Sequence, residues 1–235
     1  MKPVRSSNNY SVGKTSNGAI SGNCVVFFDF DNTITKIDIL DDMLKRFSRD
    51  DKWMRLEDEW RRGKIGSRQC LDGQIRGIRI ESRRLDRYLA TVKLDPYFKK
   101  LLRLCDSRNI KTVILSDNFG RILNSILKKN DISGQDVYCN SLEMSGDRLT
   151  PGFPYRDKKC GGCAHCKTKN MLANTGAGFT SVYIGDGLSD LCPARKAGLV
   201  FAKSTLQERL KKEKVPHIPF IDMRDIYKYF KRRIT

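Results

Sequence analysis

The stretch Val25-Val26-Phe27-Phe28-Asp29-Phe30-Asp31-Asn32-Thr33-Ile34-Thr35 decides how this chain is read. Its four leading apolar residues predict a short, fully buried strand of a parallel sheet. The run stops at two carboxylates two positions apart, with a threonine two further on. Open α/β sheets place their chemistry at the carboxyl ends of strands, so Asp29 and Asp31 are expected at the mouth of a crevice. An aspartate there can attack phosphorus if a cation neutralises it and screens the incoming phosphate. A surface turn held by local Asp and Asn hydrogen bonds accounts for one such acid, not for the whole string.

Two more groups follow apolar runs in the same way. Ser116-Asp117-Asn118 comes after Thr112-Val113-Ile114-Leu115, and Gly185-Asp186-Gly187-Leu188-Ser189-Asp190 comes after Val182-Tyr183-Ile184. The ordered set resembles the motifs of the haloacid dehalogenase superfamily of phosphotransferases: DxDxT first, GDGxxD last. The resemblance runs from about residue 24 to the end of the chain. It implies a Mg²⁺-dependent reaction through an aspartyl-phosphate. The alternation of strands and helices after residue 93 independently predicts an α/β fold with a doubly wound parallel sheet.

The resemblance and the chemistry assign the same roles. Asp29 is the candidate nucleophile, and Asp31 the acid that protonates the leaving alcohol and then activates water. An acid at position 31 fits the superfamily's phosphatases and phosphomutases rather than its ATPases or dehalogenases. Ser116 is expected to hydrogen-bond a phosphoryl oxygen, joined by the backbone amides of Asp117 and Asn118; helix capping explains Asn118 equally well. Thr33 is expected to orient the first loop beside the substrate. Asp186 is expected to share Mg²⁺ with Asp29 and the backbone carbonyl of Asp31, while Asp190 holds a metal-bound water or orients a lysine. Gly185 and Gly187 are expected to permit a tight turn. The lysine that neutralises the phosphoryl group is sought among Lys158, Lys159, Lys167 and Lys169; Lys167, at the start of a predicted helix, fits best and Lys169 next.

Residues 36–92 differ in character. Apolar residues recur at helical spacing through Ile37, Leu40, Met43, Leu44 and Phe47, then Trp53, Leu56 and Trp60, with no parallel-strand pattern. An all-helical insert at this point resembles the cap of the phosphoserine-phosphatase-like branch, a lid that excludes water and contacts substrate. The expected domains are a flexible tail over 1–23, a catalytic core over 24–35 and 93–235, and a helical cap over 36–92. Glu59, Arg68 and Gln74 are candidate substrate contacts in that cap. The cysteine-rich segment ahead of Lys167, with the later Gly-Asp-Gly-x-x-Asp-x-Cys-Pro, resembles the subgroup that holds the methionine-salvage phosphatase and the phosphoethanolamine/phosphocholine phosphatases, and the string from Glu59 to Cys70 looks more like the methionine-salvage group.

Charge and cysteines supply the remaining expectations. The 235 residues carry a formal net charge of +18, which concentrates anions near the surface. Lysine and arginine are spread along the chain, with modest clusters at Lys211-Lys212-Glu213-Lys214 and Lys231-Arg232-Arg233 that form no recognisable nucleic-acid motif, so solvated helical faces are favoured over a nucleic-acid surface. The expected partner is a small phosphorylated metabolite; a phosphomutase or a nucleic-acid-associated phosphatase or binder is the alternative. No apolar run reaches the roughly 18 residues of a membrane span. With no signal-peptide pattern either, a cytoplasmic location is expected. Cys160-Gly161-Gly162-Cys163-Ala164-His165-Cys166 spaces three thiols for metal binding, with His165 or Cys192 as a fourth ligand for structural Zn²⁺. A disulfide and reduced thiols remain alternatives.

Overall fold

The computed structural model describes residues 23–233, so the expected tail lies outside it except for residue 23. The run quoted above forms β1 (Cys24–Phe28), and every residue of it is buried. Its side chains alternate between two cores. Val26 and Phe28 enter the larger one, and Val25 and Phe27 the smaller one on the opposite face. That two-sided burial is why the sequence shows an unbroken apolar run rather than alternation.

Four helices follow: α1 (Ile39–Phe47), α2 (Lys52–Arg61), α3 (Ser67–Gly77) and α4 (Ser82–Leu89). The chain leaves for this segment and returns from it side by side. Thr35 bridges Leu94 in antiparallel fashion, and Asp95 N donates to Ile34 O at 2.8 Å. Asp38 caps α1 through Asp41 N, as a short acid before a helix should. Helix α5 (Phe98–Asp106) follows, and Asp95 sets up the turn before it by accepting from Tyr97 N at 2.8 Å.

Strand and helix then alternate through β2 (Lys111–Phe119), α6 (Gly120–Lys129) and β3 (Asp136–Ser145). Strand β3 runs on to Ser145 because its second half pairs antiparallel with β4 (Arg148–Gly152) across a Gly146-Asp147 turn. Gly146 adopts φ +60° there, a conformation that favours glycine. The chain ends with α7 (Lys167–Asn174), β5 (Thr180–Gly185), α8 (Leu191–Ala194), β6 (Leu199–Ala202), α9 (Ser204–Lys212), β7 (Ile218–Pro219) and α10 (Met223–Arg233).

The sheet order is β4-β3-β2-β1-β5-β6-β7, parallel apart from β4. The fold is therefore the expected doubly wound α/β sheet. The chain winds outward to one side of β1 and later crosses to the other. The carboxyl ends of β2, β1 and β5 consequently flank the switch point, where crevices form in such sheets. Among the described residues, no helix is long and apolar enough to cross a membrane.

Candidate active site

Past Phe28 the chain stays attached to its neighbour, with Asp29 N donating to Ile184 O at 2.9 Å. It then turns sharply. Asn32 takes φ 53°, a left-handed conformation that asparagine tolerates better than most residues. Ile34 N and Thr35 N both donate to Phe30 O, at 2.9 and 3.0 Å. Asp29 and Asp31 thereby reach different surroundings.

Asp29 meets a lysine. Lys167 Nζ lies 2.5 Å from Asp29 Oδ1, 2.7 Å from Asp190 Oδ1 and 3.2 Å from Ser189 Oγ. Asp190 Oδ1 also accepts from the Tyr183 hydroxyl at 2.7 Å, and its Oδ2 accepts from Asp186 N at 3.0 Å and Gly187 N at 2.9 Å. Four donors thus fix the Asp190 carboxylate. The Thr33 hydroxyl donates to Asp186 Oδ1 at 3.1 Å. Of the lysines considered, Lys167 is buried in the site while Lys158, Lys159 and Lys169 are exposed.

Carboxylate oxygens of Asp29, Asp186 and Asp190 all lie within 4.8 Å of one another. The donor set is oxygen alone and rich in negative charge, which suits a small hard cation such as Mg²⁺. Because Asp190 is already saturated, Asp29 and Asp186 are the carboxylates with capacity left for an ion.

The electrostatics follow from crowding. Burial, and then the charge of Asp190, raise the Asp29 carboxyl well above the usual range, against the pull of Lys167. Burial and Asp190 lift Asp186 to about 7. Burial opposes the charge on Lys167, but Asp190 and Asp29 outweigh it and hold the ammonium firmly protonated. Asp31 is pushed to about 8 by burial and then by Asp38. Its Oδ1 accepts from Ile39 N at 3.0 Å, and both of its oxygens accept from Asn118 Nδ2, at 3.1 and 3.0 Å.

Gly185 and Gly187 serve a different purpose from the expected turn. Neither has a positive φ among the described residues. At Gly185 the requirement is space, since a Cβ would fall 2.6 Å from Asp190 Oδ2; at Gly187 the same atom is 3.8 Å away, an ordinary contact.

At the end of β2, the pairing with β3 shifts register between Leu115 and Phe119, so Ser116-Asp117-Asn118 forms an irregularity in the ladder. Ser116 is fully buried, and its Oγ accepts from Asn118 N at 3.0 Å. Asp117 Oδ1 is a buried acceptor without a hydrogen-bond partner. Asn118 bonds Asp31 through Nδ2 and accepts from Phe119 N through Oδ1 at 2.7 Å. Behind the motif, His165 Nδ1 contacts Ser116 O at 2.9 Å, and Asn170 Nδ2 contacts His165 Nε2 at 2.7 Å. An amide N–H on Nε2 assigns the imidazole proton to Nδ1, which donates to Ser116 O. Burial lowers this histidine to about 4, so it is neutral at pH 7.

Sequence reasoning missed Tyr183, His165 as a prop, and Asn170. Tyr183 carried one visible signal, a hydroxyl-bearing residue inside an otherwise apolar strand run.

A cavity of about 140 Å³ opens above Asp29 and Asp31. Its far wall comes from α1–α3 and the α1 cap, where Asp38, Asp41, Glu57, Trp60 and Gln74 line it. Gln74 stands where expected, donating to Glu57 Oε2 at 3.2 Å. Glu59 and Arg68 are not on this wall. Glu57 and Trp60, three residues apart, share the inward face of α2, while Glu59 turns toward Arg55 at 3.9 Å. Arg68 is exposed, and its backbone N donates to Gly162 O at 3.1 Å.

The cysteines are free thiols. Cys160 Sγ and Cys163 Sγ are 3.4 Å apart. Among the described residues, the aspartates are the one group of three potential ligands gathered within 4.8 Å, so the expected Zn²⁺ cluster is not preassembled. His165 is withdrawn from it by its two hydrogen bonds.

A family model described as haloacid dehalogenase-like hydrolase matches residues 26–195. A curated relative from Brevibacillus brevis, named 2-hydroxy-3-keto-5-methylthiopentenyl-1-phosphate phosphatase, is 28% identical over 212 residues, covering 88% of this chain and 95% of its own. One of the same name from an Exiguobacterium species is 26% identical, covering 88% and 96%. A solved structure of a phospho-aspartyl intermediate analogue of phosphoserine phosphatase superposes with a TM-score of 0.69 at 19% identity, covering 88% of this chain and 98% of that one. A substrate-bound phosphoserine phosphatase gives 0.68 at 19% identity, with the same coverages. These two structures share the fold.

Proposed function

The chain belongs to the haloacid dehalogenase-like hydrolase family, and from that membership we propose that it is a Mg²⁺-dependent phosphomonoester hydrolase working through a phosphorylated Asp29. The observation that carries this reading is the Lys167–Asp29 contact of 2.5 Å beside Asp186, with Asp31 held separately by Asn118. A nucleophile, a fixed cation and an independent acid occupy distinct places.

In the proposed reaction, Asp29 attacks phosphorus and the departing alkoxide takes the proton of the Asp31 carboxyl. The Asp31 carboxylate then takes a proton from the water that attacks the acyl phosphate, which releases phosphate and restores Asp29. Lys167 and the Ser116 hydroxyl bind phosphoryl oxygens, with the amides of Asp117 and Asn118 beside them. Thr33 positions Asp186, and Asp190 positions Lys167. Asp29, Asp186 and the Asp31 carbonyl would hold Mg²⁺. When bound, the ion neutralises the carboxylates and phosphoryl oxygens that otherwise repel one another.

Residues 36–92 act as a cap in this reading, over a core of 24–35 and 93–235. The wall formed by Asp38, Asp41 and Glu57 repels polyanions at close range, so a small metabolite fits better than a polynucleotide end despite the basic surface. The substrate named for the relatives, 2-hydroxy-3-keto-5-methylthiopentenyl-1-phosphate, is the first to try. Eight free thiols favour the cytoplasm as the place of reaction.

The test is phosphate release from a panel of phosphorylated metabolites with Mg²⁺, with and without EDTA, for the wild type and Asp29→Asn. Release that needs the metal and disappears in a folded Asp29→Asn protein is expected. Phosphate appearing on a second alcohol instead would identify a transferase, and undiminished release by Asp29→Asn would sink the mechanism.

A further inference from the structure

The segment joining β4 to α7 carries Cys160, Cys163 and Cys166 and ends in Lys167. Its backbone is closely tied. Cys160 N donates to Asp157 O at 3.1 Å, Gly162 N to Cys160 O at 3.0 Å, and Cys166 N to Tyr155 O at 3.0 Å. Gly161 takes φ +78°, which lets the chain double back between the first two thiols.

This loop is also where α3 docks. Arg68 N donates to Gly162 O at 3.1 Å, and Ala164 N donates to Ser67 Oγ at 2.9 Å. The backbones approach so closely that a Cβ on Gly66 would sit 2.4 Å from Gly162 O. Ser67, the first residue of α3, thus holds the thiol loop through its side chain. One segment therefore joins the helical insertion to the helix that presents Lys167.

Packing does not explain the thiols here. Cys160 and Cys192 are exposed, unlike the core thiols Cys24 and Cys105. Cys160, Cys163, Cys166 and Cys192 line a single cavity of about 320 Å³ beneath the insertion. The Sγ atoms of Cys160 and Cys163 stand 3.4 Å apart without a bond. Cys166 lies close enough to Cys160 that, after burial, the neighbouring thiol helps raise its pKa.

We propose that Cys160, Cys163 and Cys166, closed by Cys192, form a site for a thiophilic divalent cation, Zn²⁺, that fastens the loop between α3 and Lys167. A tetrahedral zinc with four sulfurs at about 2.3 Å separates the sulfurs by about 3.8 Å, close to the spacing of the contacting pair. Cys166 and Cys192 rotate toward that pair to complete the shell. A disulfide between Cys160 and Cys163 would engage two thiols and leave the other two on the same wall without a role. Ligand softness separates this site from the all-oxygen aspartate group, which prefers a hard cation. Metal binding must displace the protons of the ligating thiols, so it weakens as pH falls.

The probe is Co²⁺, added to the full chain after reduction and metal stripping under anaerobic conditions. One equivalent is expected to produce a thiolate-to-cobalt charge-transfer band that Zn²⁺ abolishes. The aspartate site cannot give this band, so Asp186→Asn should retain it, as should Cys105→Ser. Cys160→Ser, Cys163→Ser and Cys166→Ser should each lose most of it, with folding checked by circular dichroism. If one variant fails to fold, thiol protection from alkylation by Zn²⁺ in the wild type, mapped by mass spectrometry, reads the same four residues. Absence of the band in the reduced wild type, or its persistence in Cys163→Ser, overturns the site. An undiminished band in Cys192→Ser removes that residue from it.

Discussion

The Asp190 carboxylate holds the Lys167 ammonium at 2.7 Å while accepting three further hydrogen bonds, so the lysine is positioned by a group that itself has no freedom. Asp29 shares the same ammonium from the other side at 2.5 Å. The pair is buried, and a buried charge left alone is costly: breaking such a pair typically costs about 3–5 kcal/mol.

Lys167→Met should therefore lose activity by at least about 10³-fold and lose stability by about 3–5 kcal/mol without added metal. Asp29 and Asp190 would then face each other without a cation. Adding Asp29→Asn to that variant should recover part of the stability, because it removes one of the two buried like charges left without a cation. Urea unfolding of both variants, with and without Mg²⁺, measures this. Mg²⁺ is expected to raise the stability of Lys167→Met more than that of the double variant. Equal stability of Lys167→Met and wild type would refute the arrangement.

Asp31 sets a pH limb. Its carboxyl, at about 8, keeps its proton through neutral pH and loses it above. A general acid is competent only while protonated, so kcat/KM for an alkyl phosphate should fall as pH rises through the region near 8. With 4-nitrophenyl phosphate, whose leaving group needs no proton, the limb should flatten. Asp31→Asn should cost about 10²–10⁴-fold on the alkyl substrate and much less on the nitrophenyl one. Parallel pH profiles for the two substrates would exclude Asp31 as the acid.

Gly185 and Gly187 should part company. Gly185→Ala pushes a methyl into Asp190 Oδ2 at 2.6 Å, which displaces a carboxylate fixed by four donors. Overpacking of this kind costs about 1–3 kcal/mol. A displacement near 1 Å at a catalytic group costs about 10²-fold in rate. Gly187→Ala meets the same oxygen at 3.8 Å and has φ −107°, which alanine adopts freely. Its melting temperature should stay close to wild type, and equal losses in the two variants would show that space beside Asp190 is not what selects glycine at 185.

That glycine contrast shows what the amino-acid order conveys and what it withholds. Asp29, Asp31, Ser116 and Asp186 were legible because each ends or closely follows an apolar run, and strand ends gather chemistry in this architecture. Lys167 was legible from its place at a helix start. The reason for Gly185 was not, since a glycine required for space and one required for φ look alike in sequence. Tyr183 and Asn170 act through partners that only the folded chain brings into reach, Asp190 in the turn after the same strand and His165 in the loop ahead of α7. Glu59 misses the cavity because of helix phase: two residues along α2 from Glu57 is a rotation of about 200°, enough to turn the side chain away from the cavity and toward Arg55.

His165 ties the last prediction to stability rather than rate. It sits neutral between Ser116 O and the Asn170 amide, with its ordinary value of 6.5 lowered to about 4 by burial. Below pH 6.5 the unfolded chain protonates this imidazole while the folded chain does not until about pH 4. Protons therefore favour unfolding across that window, and the folded state loses about 2 kcal/mol from this residue between pH 7 and 5. His165→Gln removes the titration, so its stability should vary less between those pH values than that of the wild type, by about that amount. Its neighbour Ser116 loses a well-aligned backbone prop, so a modest rise in KM for the phosphate ester should accompany the change. Urea unfolding at pH 7 and 5 decides the question: identical pH dependence in the two proteins would mean that His165 takes up its proton in the fold as readily as in the unfolded chain, with Nε2 then donating to the side-chain oxygen of Asn170.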